Sequence, residues 1–389
     1  MIATMTYALG QGTGPLKGIK VVEIAGIGPS PHACMILADL GADVIRVERP
    51  GGQVLTGGSH DLLNRGRPSV ALNLKDPAAI ATVLDLVEGA DVLVEGMRPG
   101  VLERLGLGPD VCHERNPRLV FARMTGWGQD GPWAQAAGHD MNYIAITGTL
   151  FGLGQDPSKP QFPANLIGDF GGGSTYLVIG ILAALLEARV SGQGQVVDAA
   201  IVDGTANLNA MTAAFLLGGT FREERAANLL DGGAPYYDIY ETADGEHMSV
   251  GALEPQFYEE FVTLLGIKEA APDRYDPANA DALRELIAAT FKTRTRDEWS
   301  AVFDATDACV APILRMSEAP SHPHVKAREI FVEHEGMVQP APAPRFSRTG
   351  ATLGLPPAPK AGAHTREALT AWGVADVDGL LESGAAVQA

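Results

Sequence analysis

Short apolar runs bounded by turn residues alternate with stretches of helical period along the first half of the chain. Lys20 to Ile24 is the first run. A Gly/Pro turn, a helix around His32 to Leu40 and a second run, Asp43 to Val47, follow it. Runs of this kind, interleaved with helices, predict βαβ units around a parallel sheet covered on both faces. Ser69 to Leu74, Asp91 to Val94, Leu119 to Met124 and Gln195 to Ala200 continue the series as strands. Lys75-Asp76-Pro77 opens a helix whose apolar positions include Ile80, Val83, Leu84 and Val87, and Asp110 to Asn116 predicts a shorter one. Asn165 to Val190 places Gly168-Asp169-Phe170-Gly171-Gly172-Gly173 ahead of a long apolar helix, and Asp203 to Leu217 predicts another. The fold class this pattern predicts is a doubly wound α/β domain.

The pattern then changes. Tyr236 to Thr242 and His247 to Ala252 flank Ala243-Asp244-Gly245 and predict a β-hairpin. Helices from about Gln256, from Asp281 to Lys292 and from Arg296 to Phe303 complete a small α+β domain. Pro320 to Pro323 and Gln339 to Pro344 are proline-rich linkers returning the chain, and Thr365 to Trp372 is a last short helix. The expected organisation is a large domain over 1–203, a linker over 204–226 and a small domain over 227–320. A second linker over 321–338 and a segment over 339–389 that returns to the large domain follow.

Composition narrows the function classes. A net charge of −18 argues against a nucleic-acid partner. Between Arg46 and Arg123 basic and acidic residues balance, whereas from Phe221 to Val310 acids outnumber bases by more than two to one. An anionic ligand is therefore expected on the first region. Cys34, Cys112 and Cys309 are far apart, form no CxxC pair and read as reduced thiols of a cytoplasmic protein. No signal-peptide pattern precedes Lys17, and the uncharged run Phe170 to Leu186 reads as a buried helix, not a membrane span. The glycine-rich leader before Leu16 has no assigned role.

Three stretches could carry chemistry. Gly26-Ile27-Gly28-Pro29-Ser30-Pro31 imitates a dinucleotide fingerprint, but Pro31 replaces the third glycine, and two prolines lack the N–H that would hold a pyrophosphate. Thr125 to Tyr143 is a Gly/Trp-rich loop after a strand end, closing on His139 and Asp140. Read alone, His139 is first of all a histidine fixing a loop, and Asp140 an N-cap for a helix from Met141 to Thr147. Asp169 has the same capping alternative, although the three glycines after it let backbone approach a ligand and leave N–H groups beside the carboxylate. Glu254, between a strand end and Pro255, is an ordinary place for a first-turn acid. HExxH and G-x-S-x-G patterns are absent, so zinc and serine-hydrolase chemistry are disfavoured.

Taken together, these stretches resemble the class III coenzyme A transferase superfamily, and within it the racemase branch, from about Leu16 to Arg348. The resemblance rests on Val21-Val22-Glu23, Ala38-Asp39-Leu40-Gly41-Ala42-Asp43-Val44, Arg98-Pro99-Gly100 and Thr125-Gly126-Trp127-Gly128-Gln129. Gly138-His139-Asp140-Met141-Asn142-Tyr143, Gly168 to Gly173 and Gly251-Ala252-Leu253-Glu254-Pro255-Gln256 complete it. It implies a Rossmann-like large domain, a smaller α+β domain and an interlocked homodimer whose active sites are shared between subunits. It also implies a coenzyme A site over Arg49, Leu72, Asn73, Leu74 and Lys75, over Gly96, Met97, Arg98, Pro99, Gly100 and Val101, and over Gly138, Asp140, Met141, Asn142 and Tyr143.

Two activities follow from the resemblance. The racemase branch carries His-Asp before Asn-Tyr, as His139 to Tyr143 do. That implies interconversion of (R)- and (S)-2-methylacyl-CoA thioesters by His139 and Asp169, with Glu254 orienting His139. No metal or redox cofactor is implied, because coenzyme A enters with the substrate. The alternative is a CoA transferase with Asp140 as covalent nucleophile, but Ile144 stands where that pattern carries glutamine.

Overall fold

The computed structural model describes residues 8–52 and 58–389, so the first seven residues of the leader lie outside the description. Two compact units are present. The first takes the chain up to Thr147, then Pro163–Leu208 and Arg328–Ala389; the second takes Gly148–Phe162 and Asn209–Ala327.

In the first unit the apolar runs become strands β1 (Lys20–Ile24), β2 (Asp43–Glu48), β3 (Ser69–Leu72), β4 (Val92–Glu95), β5 (Val120–Thr125) and β6 (Val196–Ala200). The helices between them are α1 (Pro29–Asp39), α2 (Pro77–Glu88), α3 (Val101–Arg104), α4 (Pro109–Arg115), α5 (Asp140–Ile146), α6 (Thr175–Ser191) and α7 (Ile201–Leu208). All six strands pair in parallel in the order β3-β2-β1-β4-β5-β6. Neighbouring residues on one strand face opposite layers: Val21 packs with α1 and α6, Val22 with α2. That two-sided burial is why the strands read as continuous apolar runs. α2 starts where expected, with Asp76 accepting from Ala78 N–H at 2.9 Å and Pro77 in the first turn.

A buried charge interrupts β1. Glu23 is fully buried, paired with Arg46 and, at 2.8 Å, with Arg67. Arg67 also donates to the Pro31 carbonyl at 2.9 Å. An ion cluster at this depth is costly and helps stability little, but it ties the first turn of α1 to the centre of the sheet.

The glycines before α6 do not form a loop. Leu166–Ser174 is a wide, π-type helix continuous with α6. A Cβ at Gly172 would stand 2.6 Å from Thr205 N, and one at Gly204 would overlap the Gly172 carbonyl. The two backbones therefore touch where α7 crosses, which only glycine permits. The whole helical run, Leu166–Ser191, is long and apolar enough by composition to cross a membrane, as core helices also are. Here Leu177, Ile181 and Ala184 pack on the sheet.

Asp203 to Leu217 is not one helix: α7 ends at Leu208 and α8 (Ala210–Leu217) begins after Asn209, where the chain enters the second unit. Residues 204–226 thus hold helix rather than linker alone, and 148–162, expected in the large domain, belong to the second unit. That unit contains the hairpin β7 (Tyr237–Glu241) and β8 (His247–Gly251), then α9 (Pro255–Leu265), α10 (Ala280–Phe291) and α11 (Arg296–Phe303). A third strand, β9 (Val310–Pro312), pairs with β8, and Phe261, Phe291, Trp299 and Phe303 form an aromatic core. Residues 321–338 hold α12 (Pro323–Ala327) and most of a hairpin, β10 (Phe331–His334) with β11 (Met337–Pro340). Gln339 is a buried strand residue bonded to Arg65 at 3.0 Å, not part of a loose linker. The chain ends with α13 (Thr365–Ala371), α14 (Val377–Ser383) and β12 (Ala386–Val387), which adds antiparallel to β3 and completes a seven-stranded sheet.

Candidate active site

The Gly/Trp-rich stretch after β5 is a folded loop built on rings. Trp127 packs edge-on against Trp133 and Tyr143, with centroids 4.9 and 4.7 Å away. Gly126 lies under the Tyr143 ring, and a Cβ at Gly138 would stand 2.8 Å from both Trp127 and Tyr143. The Tyr143 hydroxyl donates to the Gly138 carbonyl. These contacts fix the entry to α5.

His139 is the N-cap of α5, exposed and extended, and the Asn142 Oδ1 accepts its N–H at 3.0 Å. Asp140 is therefore the first helical residue and not the expected cap. Its carboxylate turns inward, leaving the residue 5% exposed. Oδ2 accepts the main-chain N–H of Asp169 at 2.7 Å.

Asp169 lies in the first turn of the wide helix, and Asn165 Nδ2 donates to its Oδ2 at 3.1 Å. Gly28, at the N-cap of α1, meets it from the other side: a Cβ there would stand 3.2 Å from Asp169 Oδ2. Burial pushes the Asp169 carboxyl above the usual carboxylate range. The Asn165 hydrogen bond pulls it back, the Asp140 charge adds to the rise and His139 opposes it. Burial likewise raises the Tyr143 phenol, with Asp169 and Asp140 adding to it. Because its N–H is held by Asp140, Asp169 cannot offer that group to a ligand. At the far end of the wide helix His32 Nδ1 lies 2.6 Å from Ser174 Oγ, and its ring packs on Phe170. Ser174 gives its hydroxyl proton to the Phe170 carbonyl at 3.0 Å, so His32 Nδ1 is the donor of that pair.

The remaining expected residues of this unit follow the carboxyl ends of parallel strands, where open α/β sheets bind ligands. Arg49 follows β2, Lys75 follows β3 and Arg98 follows β4, and all three are exposed. Glu95, at the end of β4, accepts the Met97 N–H at 2.7 Å and the Arg123 guanidinium at 3.1 Å, fixing the Gly96–Val101 turn. Gln135 donates to the Pro99 carbonyl at 3.1 Å, joining that turn to the Gly/Trp loop. Leu72 is fully buried opposite Ala386 of β12, so its side chain belongs to the core.

Glu254 stands in the second unit as the exposed N-cap of α9. The turn leading to it is clamped by Arg274, which donates to the carbonyls of Ala252 and Leu253 at 3.0 Å each. The guanidinium also lies over the rings of Tyr236, Tyr258 and Tyr275, 4.4–4.7 Å from their centroids.

Gly28, Asn165 and Arg274 were not singled out from sequence. Asn165, four residues before Asp169, and the failed fingerprint around Gly28 were the available signals; Arg274 left none.

Residues 16–365 match CoA-transferase family III. The chain is 42% identical to the mouse alpha-methylacyl-CoA racemase over 360 residues, covering 92% of this chain and 93% of that one. It is equally similar, at 42% over 362 residues with the same coverage, to the human alpha-methylacyl-CoA racemase. A CaiB/BaiF family protein from Brucella suis superposes with a TM-score of 0.79 at 28% identity, over 92% of this chain and all of that one.

Proposed function

The chain belongs to CoA-transferase family III, and within that family we propose that it is an isomerase interconverting the (R) and (S) forms of 2-methylacyl-CoA thioesters. The observation that carries this reading is the pairing in the first unit. An exposed histidine at a helix cap is followed by Asp140, whose carboxylate holds the main chain of Asp169, and burial raises the Asp169 carboxyl above its ordinary range. The 42% identity to two racemases supports it.

Inverting a carbon centre by proton transfer needs a base on one face and an acid on the other. His139 and Asp169 come from different elements, so they can flank an α-carbon. A carboxylic acid and an imidazole can fill the complementary acid and base roles the reaction needs. The gap between a thioester α-C–H and imidazole is on the order of 14 pKa units, roughly 19 kcal/mol uphill in water. The enolate oxygen must therefore meet fixed donors. The Asp169 N–H is taken by Asp140, so those donors are other groups than this one. Arg49, Lys75 and Arg98 supply cations for the coenzyme A phosphates. No redox change occurs, so no cofactor beyond the substrate's own coenzyme A is called for. A homodimer, testable by sedimentation, and cytoplasmic residence belong to the same proposal.

A transferase using Asp140 as nucleophile fits less well, because that carboxylate faces inward onto the Asp169 main chain. The deciding experiment is exchange in deuterated buffer. Each enantiomer of a 2-methylacyl-CoA should exchange its α-hydrogen and racemise, and His139→Ala and Asp169→Ala should each abolish racemisation. Absence of exchange, with CoA transfer to a free acid and a hydroxylamine-trapped acyl group on Asp140, would reverse the assignment.

A further inference from the structure

Asp140 is a buried carboxylate that the reaction above does not use. Its Oδ2 is bonded to the Asp169 N–H at 2.7 Å, and its Oδ1, also buried, meets no hydrogen-bond donor among the described residues. The fit around it is tight: a Cβ on Gly168 would stand 2.5 Å from Oδ2. Burying a carboxylate with an oxygen unsatisfied costs stability. A neutral side chain would cap the Asp169 N–H at less cost, so the site has a use for a carboxylate here.

We propose that Asp140 is a positioning residue for Asp169, holding its main chain from behind so that the carboxyl stays in place for proton transfer. The proposal rests on the racemase reading. Two hydrogen bonds then fix Asp169, from Asp140 on α5 and from Asn165 at the N-cap of the wide helix, and Gly28 at the N-cap of α1 leaves no room for a side chain on the third side. The adjacency also couples the two halves of the pair. His139 and Asp140 are consecutive, so a shift of α5 moves the base and the support of the acid together.

Asp140 also acts through its charge. The elements packed on the wide helix bring His139, Asp140 and Tyr143 from α5, His32 from α1 and Tyr176 from α6. Asp203 comes from α7, and Arg123 and Asp198 from the neighbouring strands. Of these, Asp140 raises the Asp169 carboxyl and His139 lowers it. Removing the Asp140 charge therefore lets Asp169 lose its proton at lower pH.

The test compares Asp140→Ala and the isosteric Asp140→Asn with wild type by deuterium exchange and racemisation. Asn keeps an oxygen to accept the Asp169 N–H but removes the charge. Asp140→Ala should lower kcat by about 100-fold, the loss a displacement of about 1 Å brings, with KM changed by less than about threefold. Asp140→Asn should regain most of that loss, and the pH-rate limb belonging to Asp169 should move to lower pH. A rise in KM at unchanged kcat makes Asp140 a coenzyme A contact and overturns the proposal. So does Asp140→Asn as slow as Asp140→Ala with an unmoved pH profile. A wild type that exchanges normally while both variants match it removes this proposal alone, whereas a wild type that does not exchange removes the racemase reading with it. Circular dichroism on each variant confirms folding, and a misfolded Asp140→Ala leaves the pH limb of Asp140→Asn to decide.

Discussion

Gly28 holds φ +67° and ψ −111°, a combination that side chains with a Cβ avoid. A Cβ at this position would stand 3.2 Å from the Asp169 carboxylate. Pro29 and Pro31 follow in the first turn of α1, so that end of the helix offers fewer N–H donors than usual. A carboxyl beside an ordinary helix N-terminus is pulled toward its charged form; here burial prevails and the carboxyl is raised. Gly28→Ala should cost about 1–3 kcal/mol of stability through backbone strain, and its methyl should crowd Asp169. The measurement is racemisation beside urea denaturation; a variant as active and stable as wild type would show that the contact is idle. The sequence showed that two prolines disfavour a dinucleotide at this turn. It could not show what the turn faces, because Asp169 is far along the chain and no local pattern joins the two. Asp140 illustrates the same limit: its capping role was a local expectation, and a long-range partner overrode it.

At the scale of elements, the strands of the parallel sheet were the most legible part, because two-sided burial writes itself as short runs dense in Val, Ile and Leu. The wide helix was not legible. Glycines at 171–173 argue against helix by propensity, and only the crossing of α7 at Gly204 makes them favourable. The turn before α9 was readable as a strand end, whereas the residue that braces it lies twenty positions on. Arg274 donates to two carbonyls and covers three tyrosines. Arg274→Ala should therefore destabilise the protein by about 2–4 kcal/mol. Arg274→Lys should do little better, because an ammonium cannot bridge two carbonyls while stacking on rings. Urea unfolding followed by tyrosine fluorescence reads this, and full rescue by lysine would mean that charge alone matters.

For the whole molecule, acidity is a stress carried partly by half-buried histidines. Burial, with Arg65 and Arg67 adding, lowers His32 below its ordinary value of 6.5; burial lowers His364 too, against Glu367. The unfolded chain then takes up protons more readily than the folded one. The stability these neutral rings contribute is complete above pH 6.5 and is lost as pH falls from there through the folded values. Thermal unfolding as a function of pH should show His32→Asn with a shallower decline over that range than wild type. Equal slopes would mean that His32 does not contribute.

The seven-stranded sheet has one further consequence, for synthesis on the ribosome. β3 is an edge with unpaired backbone groups until β12 lies beside it, and Ala386 is its partner at Leu72. Roughly 300 residues separate the two, so at about 5–20 residues per second the nascent edge waits roughly 15–60 s for its cover. For that interval Ser69–Leu72 is a strand template open to other chains. Expression at lower temperature lengthens the wait, while holdase chaperones shield the edge, so soluble yield should follow chaperone supply more closely than translation speed.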